Sequence, residues 1–197
     1  MSKTIRWQAY APREARWAQL GQRPAIAWLT GLPGSGKTTI SDAVDRELAA
    51  QGRHVCVLDG DNLRHGLCSD LGFSAADRAE NVRRTAEVAR LMAEAGLVVI
   101  VSLISPFRTD RARAREIAGA LPFLEVYVDT SIAVCETRDP KGLYARARAG
   151  EISTFTGVSA PYEIPTVPDL VLQTQGLTVA ESAAPLCARL MQLSADT

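Results

Sequence analysis

The chain has 197 residues, 47% of them apolar and 22% charged, with 22 acids against 22 bases. This composition suits a soluble globular domain, and the even charge leaves no long-range basic field to draw in nucleic acid. The longest apolar run, Leu97 to Ile104, is too short to cross a bilayer, and Met1 to Trp7 lacks the apolar stretch of a secretory signal, so a cytoplasmic location with no membrane partner is expected.

Residues 1–24 read as a polar N-terminal arm with a short helix, whose Trp7, Tyr10 and Trp17 are expected to pack on the main body or on a partner subunit. From residue 25 onward strands and helices alternate. Ala25 to Thr30 reads as a buried strand running into a glycine-rich loop. Thr38 to Ala50 reads as an amphipathic helix with Gly52 just past its end. His54 to Asp59 is a second strand, Ala76 to Ala95 a long helix stopped by Gly96, and Leu97 to Ile104 a strand buried on both faces. Thr109 to Ala120 reads as a helix, Phe123 to Val128 as a strand, Ile132 to Arg138 as a short helix and Asp169 to Thr174 as a last strand. Thr178 to Leu193 closes the chain as a helix opened by the Thr178–Glu181 capping pair and interrupted by Pro185. Five apolar strands alternating with helices predict an α/β fold: an open, mostly parallel sheet with helices on both faces and ligands at the carboxyl ends of the strands. Residues 139–168 break the alternation with Gly142, Gly150, Gly157, Pro161, Pro165 and Pro168. An irregular excursion of that length in a compact domain suggests a lid. The four cysteines (Cys56, Cys68, Cys135 and Cys187) form no Cys-x-x-Cys pair and are expected to be free thiols.

The strongest chemical signal is Gly31-x-x-x-x-Gly36-Lys37-Thr38, set between a strand and a helix as a P-loop requires. Backbone N–H groups of Gly34, Ser35 and Gly36 can converge on phosphate oxygens, and the helix beginning at Thr38 and Thr39 adds its positive end. Lys37 can bridge the β- and γ-phosphates of ATP and Thr38 can ligate Mg²⁺. Residues 25–197 are therefore expected to be a P-loop kinase domain, with its lid at about 139–168. Asp59-Gly60-Asp61-Asn62 ends the second strand at the same edge, where Asp61 can take the proton of an attacking hydroxyl or hold the metal through water. Arg64 and Arg78 follow, arginine being the preferred grip for oxyanions, whereas Arg83, Arg84 and Arg90 fit a solvated face paired with nearby acids. Ile104-Ser105-Pro106 ends the third strand, with Pro106 fixing a turn that would leave the Ser105 backbone and hydroxyl free to face a substrate. Arg138-Asp139-Pro140-Lys141 and Phe155-Thr156-Gly157 bracket a basic lid that can close over a transferring phosphate, with Phe155 able to stack on a base.

Together these segments resemble the adenylylsulfate kinase (APS kinase) family. The resemblance rests on Gly31 to Thr39, Leu58 to Leu67, Asp70 to Ser74, Asp77-Arg78-x-Glu80-Asn81-x-Arg83-Arg84, Ile104 to Arg108, Arg138 to Tyr144 and Phe155 to Gly157, and it runs from about Ile5 to Thr174. It implies a P-loop kinase, a homodimer in most members, that uses ATP and Mg²⁺ to phosphorylate the ribose 3′-hydroxyl of adenosine 5′-phosphosulfate. By that resemblance Arg64, Arg78 and Asn81 would hold the phosphosulfate end and the ribose. Phe73 and Phe155 would sandwich the acceptor adenine, and Ile104, Ser105 and Lys141 would line the same site. Arg138 would lie near the adenine of ATP. Some members carry a phosphorylated serine at the position of Ser105, but direct in-line transfer needs no covalent step. The chain departs from the family pattern at Pro33, at Thr38-Thr39 and at Cys68-Ser69, none of which has a proposed chemical role beyond the Thr38 hydroxyl. Two other readings share the P-loop: a small-molecule kinase with another hydroxyl acceptor, such as a sugar acid, and a nucleotide-dependent regulatory module. The set of Phe73, Arg78, Asn81 and Phe155 separates them, because a sugar acid offers no base to stack and a regulatory module needs no acceptor site.

Overall fold

The fold is that of a computed structural model, which describes Tyr10 and residues 12–195; Trp7 of the expected arm lies outside them. The elements in chain order are α1 (Arg13–Leu20), β1 (Ala25–Thr30), α2 (Lys37–Ala50), β2 (Val55–Asp59), α3 (Gly60–Arg64), α4 (Ala75–Glu94), β3 (Val98–Ser102), α5 (Arg108–Ala118), β4 (Phe123–Asp129), α6 (Ile132–Arg138), α7 (Leu143–Arg148), β5 (Leu170–Gln173) and α8 (Val179–Ser194). The five strands form one sheet in the order β2-β3-β1-β4-β5, and every pairing is parallel.

Side-chain alternation in β1 explains the layers, since successive residues of a strand point to opposite faces. Ala25, Ala27 and Leu29 face a cluster closed by Ile40, Val44 and Leu48 of α2 and Leu186 and Leu190 of α8. Ile26 and Trp28 face the opposite cluster, closed by Val82, Ala86 and Ala89 of α4 and Ala114 and Ala118 of α5. β1 is wholly buried because it has neighbours on both sides and helices on both faces. Trp28 is among the largest fully buried side chains and stacks on Phe123 at 6.0 Å. Truncating it to alanine would cost about 3–5 kcal/mol.

The two clusters leave the carboxyl ends of β1, β2 and β3 at one edge, and Gly31, Gly60 and Leu103 continue the chain from that edge. Two short helices, α3 and α7, are present where the sequence pointed only to the end of the second strand and an irregular lid. Asp59 caps α3 by accepting from the Asp61 and Asn62 backbone N–H groups, so the Asp-Gly turn winds into a helix instead of reversing the chain. Within the lid, Asp139 accepts from the Tyr144 and Ala145 N–H groups and so secures the start of α7. α8 runs from Val179 to Ser194 as one element despite Pro185, its start fixed by the Thr178–Glu181 capping box and its inner face by Leu186 and Leu190. The N-terminal arm is stitched to the body. Buried Gln22 donates to the carbonyls of His54 and Gly96, and the Trp17 indole donates to the Glu94 carbonyl. Tyr10 is exposed. All four cysteines are unbridged. No helix among the described residues is long and apolar enough to cross a membrane.

Candidate active site

A cleft of about 1050 Å³ opens at the carboxyl edge of the sheet. One wall is the loop between β1 and α2. There a Cβ on Gly31 would come within 2.7 Å of the Val128 carbonyl oxygen, and Gly34 adopts φ 75°, so both positions need glycine. α2 begins with no acidic residue in its first turn, which leaves its N-terminal N–H groups and dipole to attract an anion. Lys37 is buried, and its ammonium donates to the carbonyls of Gly31 (2.9 Å) and Leu32 (2.8 Å). Burial lowers its pKa to about 8, while Cys135, Asp59 and Asp61 pull the other way. Behind the loop, the Ser35 carbonyl accepts from the Thr130 hydroxyl and from Arg138, whose guanidinium also holds Thr174 at the end of β5. Arg138 thus sits where the loop meets the sheet's β5 side.

The second wall is the end of β2. The Thr38 hydroxyl donates to Asp59 at 2.8 Å, and Asp61 pairs with Lys141 from the lid. Asp59 is a functional candidate that the motif contained without singling it out. Its position as the last residue of β2, in register with Ser102 of β3, is the available signal. Thr38, Asp59 and Asp61 offer hard oxygen ligands of the kind Mg²⁺ takes alongside phosphates and water.

The third wall separates two kinds of arginine. Arg83 bonds Glu80 at 2.8 and 2.9 Å, Arg84 bonds Asp70 and Glu80, and Arg90 bonds Glu87 and Glu94. These form the paired surface face that the sequence suggested. Arg64 and Arg78 instead bond only backbone carbonyls, Arg64 those of Leu71 and Gly72, Arg78 those of Phe73 and Thr154. Their guanidinium carbons lie 4.3 and 5.6 Å from the Phe73 ring centroid. Burial and the neighbouring Arg64 lower the Arg78 pKa. Two cations sharing one ring with no carboxylate between them make a ready subsite for an anion joined to an aromatic group. Phe73 itself is 60% exposed. Asn81 is buried and its side-chain amide nitrogen has no hydrogen-bond partner, an arrangement that costs stability unless a ligand supplies an acceptor.

The floor is the end of β3 and the residues beyond it. Ser105 differs from expectation. It is buried, its hydroxyl accepts from the Trp28 indole at 3.1 Å, and its carbonyl accepts from Arg111 at 2.7 Å. The core therefore engages both groups that the turn at Pro106 was expected to leave free. Above the floor, Phe155 packs edge-on against Tyr144 (ring centroids 4.9 Å apart, 81° between planes), and the Tyr144 hydroxyl donates to the Pro33 carbonyl. The lid residues Tyr144, Ala147 and Phe155 thus form a small core with Cys135 of α6, seated on the phosphate loop through Leu32. Tyr144, Ser102 and Thr174 line the cleft without having been singled out, because each reaches it only through strand pairing or lid packing.

The cleft brings together Gly34, Gly36, Lys37, Thr38, Thr39, Asp61, Arg64, Phe73, Arg78, Asn81, Ile104, Ser105, Arg138, Lys141 and Phe155. Gly31 and Ser35 lie behind its surface, where they support Lys37 and receive Thr130.

The adenylylsulphate kinase family model matches residues 23–173. The chain is 52% identical over 177 residues to the adenylyl-sulfate kinase of Aeromonas hydrophila, a match covering 89% of this chain and 90% of that protein. It is 56% identical over 180 residues to the bifunctional enzyme NodQ of Rhizobium tropici; that match covers 91% of this chain and spans 28% of the longer relative's length. The solved structure of the Mycobacterium tuberculosis APS kinase CysC in complex with AMPPNP and APS superposes with a TM-score of 0.82 at 50% identity, covering 86% of this chain and 98% of that one. A family match across most of the sequence and a shared fold at half-identical positions lead to one conclusion: the chain belongs to the adenylylsulphate kinase family.

Proposed function

We propose that this chain transfers the γ-phosphoryl group of ATP to the ribose 3′-hydroxyl of adenosine 5′-phosphosulfate, giving 3′-phosphoadenylyl sulfate and ADP. The observation that carries this reading is the pair Arg64 and Arg78 on Phe73, with the unpartnered amide of Asn81 beside them. That subsite suits a base-bearing anion and not a sugar acid.

The donor triphosphate lies along the loop from Gly34 to Thr39, with Arg138 near its adenine. Lys37 leaves the loop carbonyls for the β- and γ-phosphate oxygens, where its charge is worth most in a site that excludes water. Mg²⁺ fits Thr38, Asp59 and Asp61, and when bound it neutralises charge on the phosphate oxygens. Arg64 and Arg78 hold the phosphosulfate, Asn81 bonds the ribose end, and Phe73 and Phe155 enclose the adenine. Asp61 accepts the proton of the 3′-hydroxyl as it attacks in line, and Lys141 on the lid draws the two halves together over Asp61. Ile104 and Ser105 shape the acceptor floor. Ser105 needs no covalent part, because in-line transfer passes the phosphoryl group directly to the acceptor hydroxyl. The working unit is residues 25–197 with the lid at 139–168, and residues 1–24 form an appended arm. On the family resemblance the chain is a cytosolic homodimer, which light scattering of the pure protein tests.

The deciding experiment incubates the pure protein with ATP, Mg²⁺ and adenosine 5′-phosphosulfate and follows ADP, with gluconate and simple nucleosides as parallel acceptors. ADP that depends on the phosphosulfate alone is expected. Equal release without it, or a preference for gluconate, would overturn the reading.

A further inference from the structure

Ser105, a residue with a side chain, is held at positive φ, 38°. Such a conformation is unfavourable for a side-chain-bearing residue and persists only where its surroundings over-determine it. Its hydroxyl is fixed by Trp28, and its carbonyl is fixed by Arg111 at 2.7 Å and more weakly by Thr30 at 3.4 Å.

Arg111 is the unusual member of this set. Its side chain is 1% exposed, and its three nitrogens serve three different parts of the molecule. Nε donates to the Glu125 carboxylate at 2.6 Å, one Nη donates to Ser105, and the other donates to the Glu163 carbonyl at 2.7 Å on the segment returning from the lid. The same return segment is tied to the turn by further bonds. The Glu163 N–H donates to the Pro106 carbonyl, its carboxylate accepts from the Arg108 N–H, and Tyr162 shares a hydrogen bond with Thr30, which in turn donates to the Ile104 carbonyl.

We infer that Arg111 is a positioning residue that locks the strained Ile104–Pro106 floor to the returning lid segment, so that acceptor binding and lid closure act as one event. The inference rests on the proposed acceptor site, which Ser105 and Ile104 line. Arg111 lies beneath that floor, outside the residues lining the cleft, and acts through Ser105.

The test is steady-state kinetics on the full chain with ATP and adenosine 5′-phosphosulfate varied separately. Arg111→Lys keeps a charge beside Glu125 but has no planar fork to span three acceptors. It should raise the acceptor KM by about tenfold while the ATP KM stays within about twofold. A purely structural defect would move both constants or only the melting temperature. If the lysine variant misfolds, the double variant Arg111→Met/Glu125→Met replaces the buried pair with apolar side chains, a change folds tolerate better than removing one partner. It should show the same split. An acceptor KM within about twofold of wild type in either folded variant, or parallel rises in both constants, overturns the inference. Hydrogen exchange in the wild-type chain covers the case where neither variant folds: adding the phosphosulfate should protect residues 103–107 and 161–165 together, and protection of one without the other overturns the coupling. Absence of phosphosulfate-dependent ADP from the wild-type protein would instead overturn the functional reading and this inference with it.

Discussion

The donor and acceptor sides of the cleft are built from different materials. On the donor side the groups that would meet phosphate are backbone N–H groups and one buried lysine, held by Gly31, Leu32 and Ser35 within a single short stretch. On the acceptor side they are side chains from five separated segments, several well exposed: Phe73 at 60%, and the directly paired Asp61 and Lys141. A loop whose grip is made by main chain depends on glycines at fixed spacing, and so it serves any triphosphate. A wall made of side chains can be respelled residue by residue, and so it decides which hydroxyl receives the phosphate. Generality belongs to the donor side and specificity to the acceptor side.

The contrast can be broken most severely at Lys37. Lys37→Ala should lower kcat by about a thousandfold while leaving the far-UV spectrum unchanged; near-normal turnover would remove the lysine from the donor side. Next in size is Arg78→Ala, which should weaken acceptor binding by about 1.5–3 kcal/mol, the range for a hydrogen bond to a charged group, and leave the ATP KM nearly unchanged. Arg83→Ala, one turn along the same helix but paired to Glu80, is the comparator and should change neither KM by more than about twofold. Equal effects from Arg78 and Arg83 would erase the distinction between the two kinds of arginine.

The third test is pH. The folded-state pKa of Lys37 is lowered from 10.5 to about 8. Its charge is therefore disfavoured in the fold. That penalty is fully present below pH about 8 and is relieved as pH rises from there toward 10.5, so this residue makes the apo protein more stable as pH climbs through that window. Nucleotide binding runs the opposite way, since phosphate needs the ammonium. Affinity for an ATP analogue by calorimetry should fall by about tenfold between pH 7 and pH 9, and flat affinity would place the lysine outside the phosphate site. The smallest effect is expected from Tyr144→Phe, which removes the bond to the Pro33 carbonyl. It should cost about 1 kcal/mol, read as a few-fold rise in the ATP KM, and thereby measure how far the lid's own core supports the donor side.

The same difference in materials explains what could be read without coordinates. Strand β1, the phosphate loop and α2 follow from an unbroken local pattern, and β1 was placed to the residue. The capping box of α8 was equally local. Asp59 was not singled out because its partnership with Thr38 exists only once β2 lies near the loop. The contacts of Ser105 were illegible for a similar reason: the turn after β3 is visible in Pro106, but the indole that donates to its hydroxyl comes from Trp28, on a strand 77 residues earlier. α3 and α7 were not read as helices because each has six residues or fewer and is held by an aspartate accepting from its first N–H groups, not by apolar periodicity. Arg64 and Arg78 could be proposed as anion grips from position, whereas their lack of acidic partners emerged only from the packing of the segments around Phe73.

The strand order also has a consequence for how the protein comes into being. The strands on either side of β1 are β3 and β4, whose partners Val98 and Phe123 are synthesised long after Ala25 and Ile26. During translation the central strand of the sheet must wait for both neighbours, and parallel pairings at such separation form slowly. Trp28 sits at the middle of that strand against Phe123, so its fluorescence marks the moment when the centre of the sheet closes. The strand that leads into the phosphate loop is thus made before both of its neighbours and covered only after the second of them has emerged.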